Sequence, residues 1–289
     1  MEKIKRSIAT DKAMTAVFYI VAGFFLALLI AFASYVIING FLGAERYMFA
    51  FDRNGLMNQL FDTIYIVFLS LVISAPLGIF AGVYLAEYAK PGKVNNSIRM
   101  CIETLSSLPS IVVGLFGALV FLPLTGMSKS ILAGALTISI LNLPLITSTT
   151  TDALRALPDH YRQGSFGLGA TKWQTVSKVL LPACLSRIVT GIILAAGRGF
   201  GETAALLFTS GMTNNVRWSD WNLTSPFCAL NVFRTSQTLS LLIWDAKSNN
   251  MEAEANLAAA ILMILVLTFN LGVRRMVKNM DRKTGGGKK

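Results

Sequence analysis

Long apolar runs, separated by shorter polar segments, dominate the chain. Six of these runs are long enough to cross the hydrocarbon core of a bilayer as a helix, which takes about 20 residues. The first run is too long for the apolar part of a signal peptide, so we expect it to remain as an anchor. The pattern predicts six transmembrane helices, over residues 14–38, 64–85, 104–124, 130–148, 188–212 and 255–273.

Composition agrees with an all-α integral membrane protein. Of the 289 residues, 54% are hydrophobic and only 14% are charged, whereas soluble domains carry about 25% charged residues. Nineteen of the 26 Lys and Arg residues fall on one side of the predicted spans. Because positively charged loops stay in the cytoplasm, both termini of this multi-pass cell-membrane protein are predicted to be cytoplasmic. The net charge of +11 is spread between apolar blocks and forms no single stripe, so no nucleic-acid partner is expected.

Catalytic and metal-binding motifs are absent from the sequence. The tail ends in GGGKK, but the spacing G-x-x-x-x-G-K-[ST] of a phosphate-binding loop occurs nowhere in the chain. The three cysteines have no metal-ligand spacing, and the single histidine, His160, is expected on a helix surface. The sequence therefore predicts a chain without cofactor or metal that does not hydrolyse nucleotides itself.

Two long connections join the spans. The outer connection, 213–254, contains three of the four tryptophans, and we expect it to lie at the membrane interface and not to form a seventh span. The inner connection, 154–182, predicts two short helices around a glycine break at Gly167 or Gly169. Thr171 and Gln174 form a capping box at the start of the second helix, and Pro182 follows its last turn. Such a hairpin is either a connector or a dock for a soluble partner, and its basic residues are expected on the exposed faces: Arg155, Arg162, Lys172 and Lys178.

The fifth span contains two opposite charges, Arg198 and Glu202. A charge at the bilayer centre costs roughly 2.5–3.5 kcal/mol on insertion scales, so both side chains should face the bundle interior or a wet cavity. At a spacing of four residues they would share a helix face and could pair. Either the pair fixes the rotation of the helix, or it lines a translocation path. The small residues Gly197, Gly199 and Gly201 would let neighbouring helices approach closely.

The inner connection resembles the loop that marks permease subunits of ABC importers. That loop has the pattern Glu-Ala-Ala, three residues, Gly, and about nine residues to Ile-x-Leu-Pro. The corresponding residues here are Gln163-Gly164-Ser165, then Gly169, then VLLP ending at Pro182. The glycine-to-proline framework is present, but Gln163 replaces the acidic residue, which removes any ion pair that a glutamate would make with a partner.

Longer runs sharpen the resemblance. YLAEYA (84–89), LPSIVVGLFG (108–117), LGATKWQTVSKVLLP (168–182) and TGIILAAGRGFGETAALLFTSG (190–211) are similar to the second permease subunit of phosphate-specific ABC importers, a family of binding-protein-dependent inner-membrane components. The match covers most of the chain after residue 60. We therefore divide the chain into residues 1–59, with the first span, and a transmembrane domain, 60–289. The domain includes a coupling loop at 152–182 and an external loop at 213–254.

The resemblance implies a type I ABC importer permease fold and a set of partners. These are a homologous permease in a heterodimer, cytoplasmic ATP-binding subunits, an extracytoplasmic phosphate-binding protein, phosphate and membrane lipid. Arg198 would offer phosphate a guanidinium fork, and Glu202 would hold that arginine between turnovers. The coupling contacts with the ATPase would come from Arg162, Gln163, Gly164, Ser165, Gly169, Ala170, Lys172 and Pro182.

Three alternatives remain open at the level of sequence. The same architecture could import another oxyanion, such as molybdate or sulfate. The chain could instead be a carrier or channel that works without ATP, although the hairpin argues against it. A membrane-embedded enzyme has little support, because no histidine cluster, paired intramembrane acids or metal motif is present.

Overall fold

A computed structural model describes residues 2–52, 55–90, 92–126 and 129–284. Every regular element in these ranges is helical. In the first half of the chain these are α1 (Glu2–Leu42), a 3-10 turn (Arg46–Phe49), α2 (Met57–Val83) with a π turn (Tyr84–Tyr88), α3 (Lys93–Ser107), α4 (Ser110–Thr125) and α5 (Ile131–Arg155). In the second half they are α6 (His160–Gly167), α7 (Lys172–Thr175), a π turn (Val176–Leu180), α8 (Leu181–Phe200), α9 (Ala204–Thr209), α10 (Leu239–Ser248) and α11 (Glu252–Thr284).

Five helical segments are long and apolar enough to cross a membrane, which confirms the all-helical membrane fold. They are Thr10–Leu42, Met57–Tyr88, Ile131–Arg155, Lys172–Phe200 and Glu252–Asn279. A sixth span exists only if α3 and α4 are taken together, and these two helices are bent by 103°. The expected straight span from residue 104 to 124 is therefore wrong. Leu108 precedes Pro109 and is extended (ψ 134°), as residues before proline prefer, so the helix breaks there.

The fifth span also differs from its prediction of 188–212. It begins at Lys172, because α7, the π turn and α8 form one uninterrupted helix as far as Phe200. Pro182 does not end a helix as expected. The π turn, closed by the Leu181 N–H bonding to the Val176 carbonyl, widens the helix just before the proline ring. At its other end the helix stops at Phe200, and the chain leaves helical geometry before α9 begins at Ala204.

The bundle is built around a parallel pair of helices, α2 and α5. Glycines of α2 permit the close approach: a Cβ at Gly78 would lie 2.8 Å from Ile146 Cβ, and one at Gly82 would lie 2.6 Å from Thr150 Cβ. Ser139 Oγ donates a hydrogen bond across the pair to the Ser70 carbonyl (3.0 Å). Small residues and interhelical hydrogen bonds replace the hydrophobic effect as the source of helix association within a bilayer.

The remaining helices surround this pair unequally. α4 packs against α9 and α5, and α8 packs against α5, α2 and α11. α1 contacts the bundle mainly through α11 and leaves its apolar side chains exposed along most of its length, as expected for a helix facing lipid. Its contact lies near its end, where a Cβ at Gly40 would be 2.7 Å from the Asn256 carbonyl oxygen. The division of the chain at residue 59 stays a prediction.

Two ends of the bundle can be distinguished by their connections. The hairpin end carries the α5–α8 connection, 156–171, and the loop end carries the α9–α11 connection, 210–251. Among the described residues the loop-end connection forms no seventh span, as expected, and its position at the membrane interface stays a prediction. α10 is too short to span a bilayer, and it buries Leu239, Leu241 and Ala246 against the bundle. Of its tryptophans, Trp218 donates a hydrogen bond to Asn58 Oδ1 (2.7 Å), while Trp221 and Trp244 are exposed.

Candidate translocation face and coupling hairpin

Arg198 lies in the last turn of α8, and its side chain is exposed. Glu202 lies beyond the end of the helix and is partly buried, with its carbonyl accepting a hydrogen bond from Ser240 Oγ (3.1 Å). Among the ion pairs formed by the described residues, none involves Arg198 or Glu202, so the two do not pair in this conformation. The expectation that they share a helix face is wrong, because Glu202 lies beyond the end of α8. The reason is the helix end: Gly201 and Glu202 donate their N–H groups to the carbonyls of Arg198 and Gly199 in tight terminal turns.

Arg198 belongs to an exposed stripe along α8. Arg187, Thr190, Leu194 and Arg198 follow one another at spacings of three or four residues, which places them on the same helix face, and all four are exposed. Inside a bilayer an unpaired guanidinium is strongly unfavourable against lipid tails. This face of α8 therefore requires cover, either from a water-filled cavity or from another polar surface.

The three glycines near Arg198 do not share one role. A Cβ at Gly199 would lie 3.3 Å from Val67 Cγ2 and 3.6 Å from Ile138 Cγ2, so this glycine lets α8 pack against both α2 and α5. At Gly197 the nearest atom would be Asn270 Oδ1 at 4.0 Å, which is ordinary contact. A Cβ at Gly201 would meet only a carbonyl of its own turn. Of the three, only Gly199 is a tight packing position.

The hairpin contains the predicted caps. Thr171 Oγ1 accepts a hydrogen bond from the Gln174 N–H, and the Gln174 side chain accepts one from the Thr171 N–H, which completes the capping box. α6 ends in a Schellman motif: the Ala170 N–H bonds to the Ser165 carbonyl, and the Gly169 N–H bonds to the Phe166 carbonyl. Gly169 has φ +79°, a left-handed conformation that favours glycine.

Arg162 is not on the exposed face of the hairpin as expected. It points inward and forms an ion pair with Glu87, on the π turn that ends α2, at 2.7 Å. It also donates hydrogen bonds to the Leu154 and Leu157 carbonyls, at 2.9 and 3.2 Å. The Glu87 side chain is only 9% exposed. The hydrogen bonds to the Glu87 carboxylate raise the pKa of the Arg162 guanidinium, so the guanidinium in this ion pair stays charged.

Apolar and charged side chains share the exposed surface of the hairpin. Tyr161, Phe166 and Trp173 are exposed aromatic side chains, and Leu168, in the turn, is 90% exposed. The Lys172 ammonium lies 4.7 Å from the centre of the Tyr88 ring, which places one positive charge at the edge of this surface. Gln163 and Gly164, beside it, are exposed too. A group of exposed apolar side chains at the end of a membrane bundle is typical of a protein-docking site.

Residues 74–286 match the family described as binding-protein-dependent transport system inner membrane components. The chain belongs to this family. It is 43% identical over 277 residues to the probable ABC transporter permease protein YqgI of Bacillus subtilis (strain 168), covering 92% of this chain and 94% of that one. It is 35% identical over 232 residues to the phosphate transport system permease protein PstA of Xylella fastidiosa (strain 9a5c), covering 78% of this chain and 76% of that one.

The fold of this inner-membrane component agrees with the family. A crystal structure of a bacterial ABC transporter involved in the import of the acidic polysaccharide alginate contains a chain that superposes with a TM-score of 0.60. The match has 13% sequence identity and covers 90% of this chain and 96% of that one. The architecture is that of a type I ABC importer permease, a multi-pass membrane subunit.

A buried ion pair at the loop end of this permease was not predicted from the sequence. Asp62, near the start of α2, pairs with Arg234 of the loop-end connection, and the two side chains are 0% and 2% exposed. Arg234 also donates to the Ala229 and Thr235 carbonyls (3.1 and 3.2 Å), so its charge is well satisfied. The signal was available, because a single acidic residue inside an apolar run implies a partner somewhere in the chain.

The described residues of this transport component contain no cluster of three His, Cys, Asp or Glu side chains able to hold a metal ion. His160 stacks on the neighbouring Tyr161 ring at 4.7 Å, on the surface of α6 where it was expected. Cys184 and Cys228 are buried and Cys101 is exposed, and all three are free thiols.

Proposed function

We propose that this chain is a permease subunit of an ATP-driven phosphate importer. It would form the translocation path together with a homologous permease and couple through the hairpin to a cytoplasmic ATPase. The observation that carries the proposal is Arg198, an unpaired guanidinium on an exposed helix face within a membrane span. The resemblance to phosphate transport permeases supports phosphate as the anion.

Arg198 has the chemistry for a tetrahedral oxyanion. Its planar guanidinium offers two parallel N–H donors that match two oxygens of phosphate. Because Glu202 lies beyond the helix end and is not paired with Arg198, the fork is free to accept the anion in this conformation. Movement of the non-helical residues 201–203 would bring the Glu202 carboxylate towards Arg198 and help to release the anion. Both residues would then lie on the path, and they would pair only in another conformation.

The second subunit follows from the exposed face of α8. The stripe cannot face lipid at Arg198, which lies within the span, and the same face on a homologous chain would enclose a polar path between the two. The extracytoplasmic binding protein would deliver phosphate at the loop end. This arrangement places both termini and the hairpin in the cytoplasm.

Coupling would use two features of the hairpin. The exposed side chains of Phe166, Leu168 and Trp173 give an ATPase an apolar surface to bind. The ion pair between Arg162 and Glu87 ties α6 to the end of α2, while α7 continues into α8. A displacement of the hairpin would therefore be transmitted both to α2 and to the helix that carries Arg198.

The test of the path is phosphate uptake into vesicles that contain the complete complex, with ATP inside. Arg198→Lys keeps the charge and loses the fork, so we expect uptake to fall about tenfold or more, as expected for a lost charge-assisted hydrogen bond of roughly 1.5–3 kcal/mol. The matched control is Arg275→Lys, an exposed arginine at the end of α11. Unchanged uptake by the Arg198→Lys complex would overturn the role of the fork. Stronger competition by sulfate or molybdate than by phosphate would assign another anion to the path.

The test of coupling is co-purification of the ATPase. Leu168→Asp puts a charge into the apolar surface, and we expect the ATPase and ATP-dependent uptake to be lost together. Leu223→Asp, at an exposed leucine at the opposite end of the bundle, is the control for co-purification of the ATPase. Uptake that continues without the ATPase would identify the chain as an ATP-independent carrier or channel.

A further inference from the structure

A groove separates α8 from α11 near the hairpin end. Its volume is about 240 Å³, and it is bordered by Thr190 and Leu194 on α8 and by Arg274, Val277 and Lys278 on α11. At this level the sequence of α11 changes from apolar to basic, since the run before Leu271 is followed by RRMVKNM. The groove therefore lies where the hydrocarbon core of a membrane gives way to its headgroups.

The walls and the rim of the groove differ in chemistry. Leu194 and Val277 form an apolar channel between the helices, while Asn270 and Thr190 add polar groups to it. Arg274 and Lys278 stand one turn apart on α11 and both border the groove. Neither cation takes part in an ion pair of the described chain, and no acidic residue borders the groove.

Only some of the basic residues of α11 border the groove, so the site is more than the general excess of positive charge near membrane surfaces. Arg275 is exposed and directly follows Arg274, yet it does not border the groove. Arg274 and Lys278 differ from Arg275 because both border the groove, next to its apolar channel. Basic pockets between helices at this membrane level suit lipid phosphates.

We propose that this groove binds a phosphate group between Arg274 and Lys278. Two sources share that chemistry: the headgroup of an anionic phospholipid, with an acyl chain between Leu194 and Val277, and free inorganic phosphate. The apolar channel favours the phospholipid. Thr190 and Leu194 also belong to the exposed stripe of α8, so the inference rests on the proposed function leaving the α11 side of that stripe open to lipid.

The first arm of the test measures the lipid retained by the purified full-length chain. The chain is purified from bilayers with equal amounts of phosphatidylglycerol and phosphatidylcholine, and bound lipids are counted by native mass spectrometry. We expect phosphatidylglycerol to be enriched, and the double variant Arg274→Ala/Lys278→Ala to bind it about 30-fold more weakly, at about 1 kcal/mol for each basic residue. Arg275→Ala should retain the lipid.

The second arm distinguishes the two sources. Leu194→Trp fills the channel and leaves both cations in place, so it should abolish retention of the phospholipid while preserving any binding of inorganic phosphate measured by equilibrium dialysis. Leu271→Trp, at an exposed leucine outside the groove, is its control. Phosphate binding that persists in Leu194→Trp and is lost in the double variant would identify free phosphate as the ligand. If the double variant changes neither ligand, or if Arg275→Ala has the same effect, the proposal is wrong.

Discussion

The two ends of the bundle hold their connections in different ways, although each uses one carboxylate of α2 and one arginine of the connection. At the loop end, Asp62 and Arg234 are almost completely buried. At the hairpin end, Glu87 and Arg162 are 9% and 20% exposed, and the hairpin leaves its aromatic side chains unburied. The loop end is folded into the core, whereas the hairpin is a surface element held mainly by the ion pair between Arg162 and Glu87.

The difference in burial between the two ion pairs indicates that one serves stability and the other serves coupling. A fully buried ion pair is costly to break, so it suits a connection that keeps one arrangement. A partly exposed pair, with water available to both partners, can be strained and re-formed at lower cost, which suits an element that transmits movement. We expect perturbations at the loop end to destabilise the permease and perturbations at the hairpin end to change its coupling.

The largest effect is expected for Asp62→Asn. This change leaves Arg234 buried without its counter-charge, and we expect a loss of about 3–5 kcal/mol in the free energy of unfolding. Denaturant unfolding of the purified chain in detergent micelles would measure it, with Asp11→Asn at an exposed aspartate of α1 as the control. The double variant Asp62→Leu/Arg234→Met should recover most of the stability, because both buried charges are gone. A single variant as stable as the wild type would contradict the comparison.

A smaller and more local effect is expected for Glu87→Gln. Arg162 keeps its carbonyl acceptors and the exposed Asp159 carboxylate but loses the Glu87 carboxylate, at a cost of about 1.5–3 kcal/mol. We expect faster amide hydrogen exchange in residues 156–171 and unchanged exchange in 210–238. In the complete complex, ATP hydrolysis should continue while transport per ATP falls. Equal acceleration of exchange at both ends would show that the two connections are not independent.

Gly169→Ala should weaken the turn of the hairpin by about 1–2 kcal/mol, because an alanine with positive φ is strained. Gly167→Ala provides the matched control, since Gly167 ends α6 with helical geometry and a Cβ there would meet no atom within 4 Å. Circular dichroism melting of the two variants, followed in the same detergent, would compare them. The expectation fails if Gly167→Ala proves the less stable of the two.

The smallest effect is expected for Thr171→Ala, which removes the side-chain acceptor of the capping box. A lost helix N-cap costs about 1 kcal/mol. Since the helix that starts here continues to Phe200, we expect fraying of its first turn only, detectable as faster exchange of the Gln174 amide hydrogen. Thr190→Ala, at an exposed threonine in the middle of the same helix, should leave that exchange rate unchanged.

Local features were predictable from the sequence. The capping box at Thr171, the left-handed Gly169 and most of the apolar spans depend on residues within a few positions of one another. The two ion pairs depend on tertiary structure: Glu87 and Arg162 are 75 residues apart, and Asp62 and Arg234 are 172 apart. No local pattern connects such positions, although a single acidic residue within an apolar run indicates that its carboxylate needs a partner.

Two of the three errors about helix continuity have opposite causes. Pro182 was expected to end a helix, but a π turn accommodates the ring and the helix continues. The helix through Arg198 was expected to continue to Met212, but it stops at Phe200, where glycine provides no side-chain packing to sustain it and the chain turns towards α9. Hydrophobicity places a segment in the membrane and does not decide whether its backbone remains helical.

The continuous helix from Lys172 to Phe200 has a mechanical consequence. Its 29 residues form a rod about 44 Å long, with one end in the hairpin and Arg198 near the other. The helix is not interrupted at the π turn or at Pro182, so a torque applied at Lys172 turns Arg198 in the same sense. The position of the hairpin then determines the orientation of the Arg198 guanidinium. We expect a spectroscopic distance between the two ends of the helix to stay constant while both ends reorient.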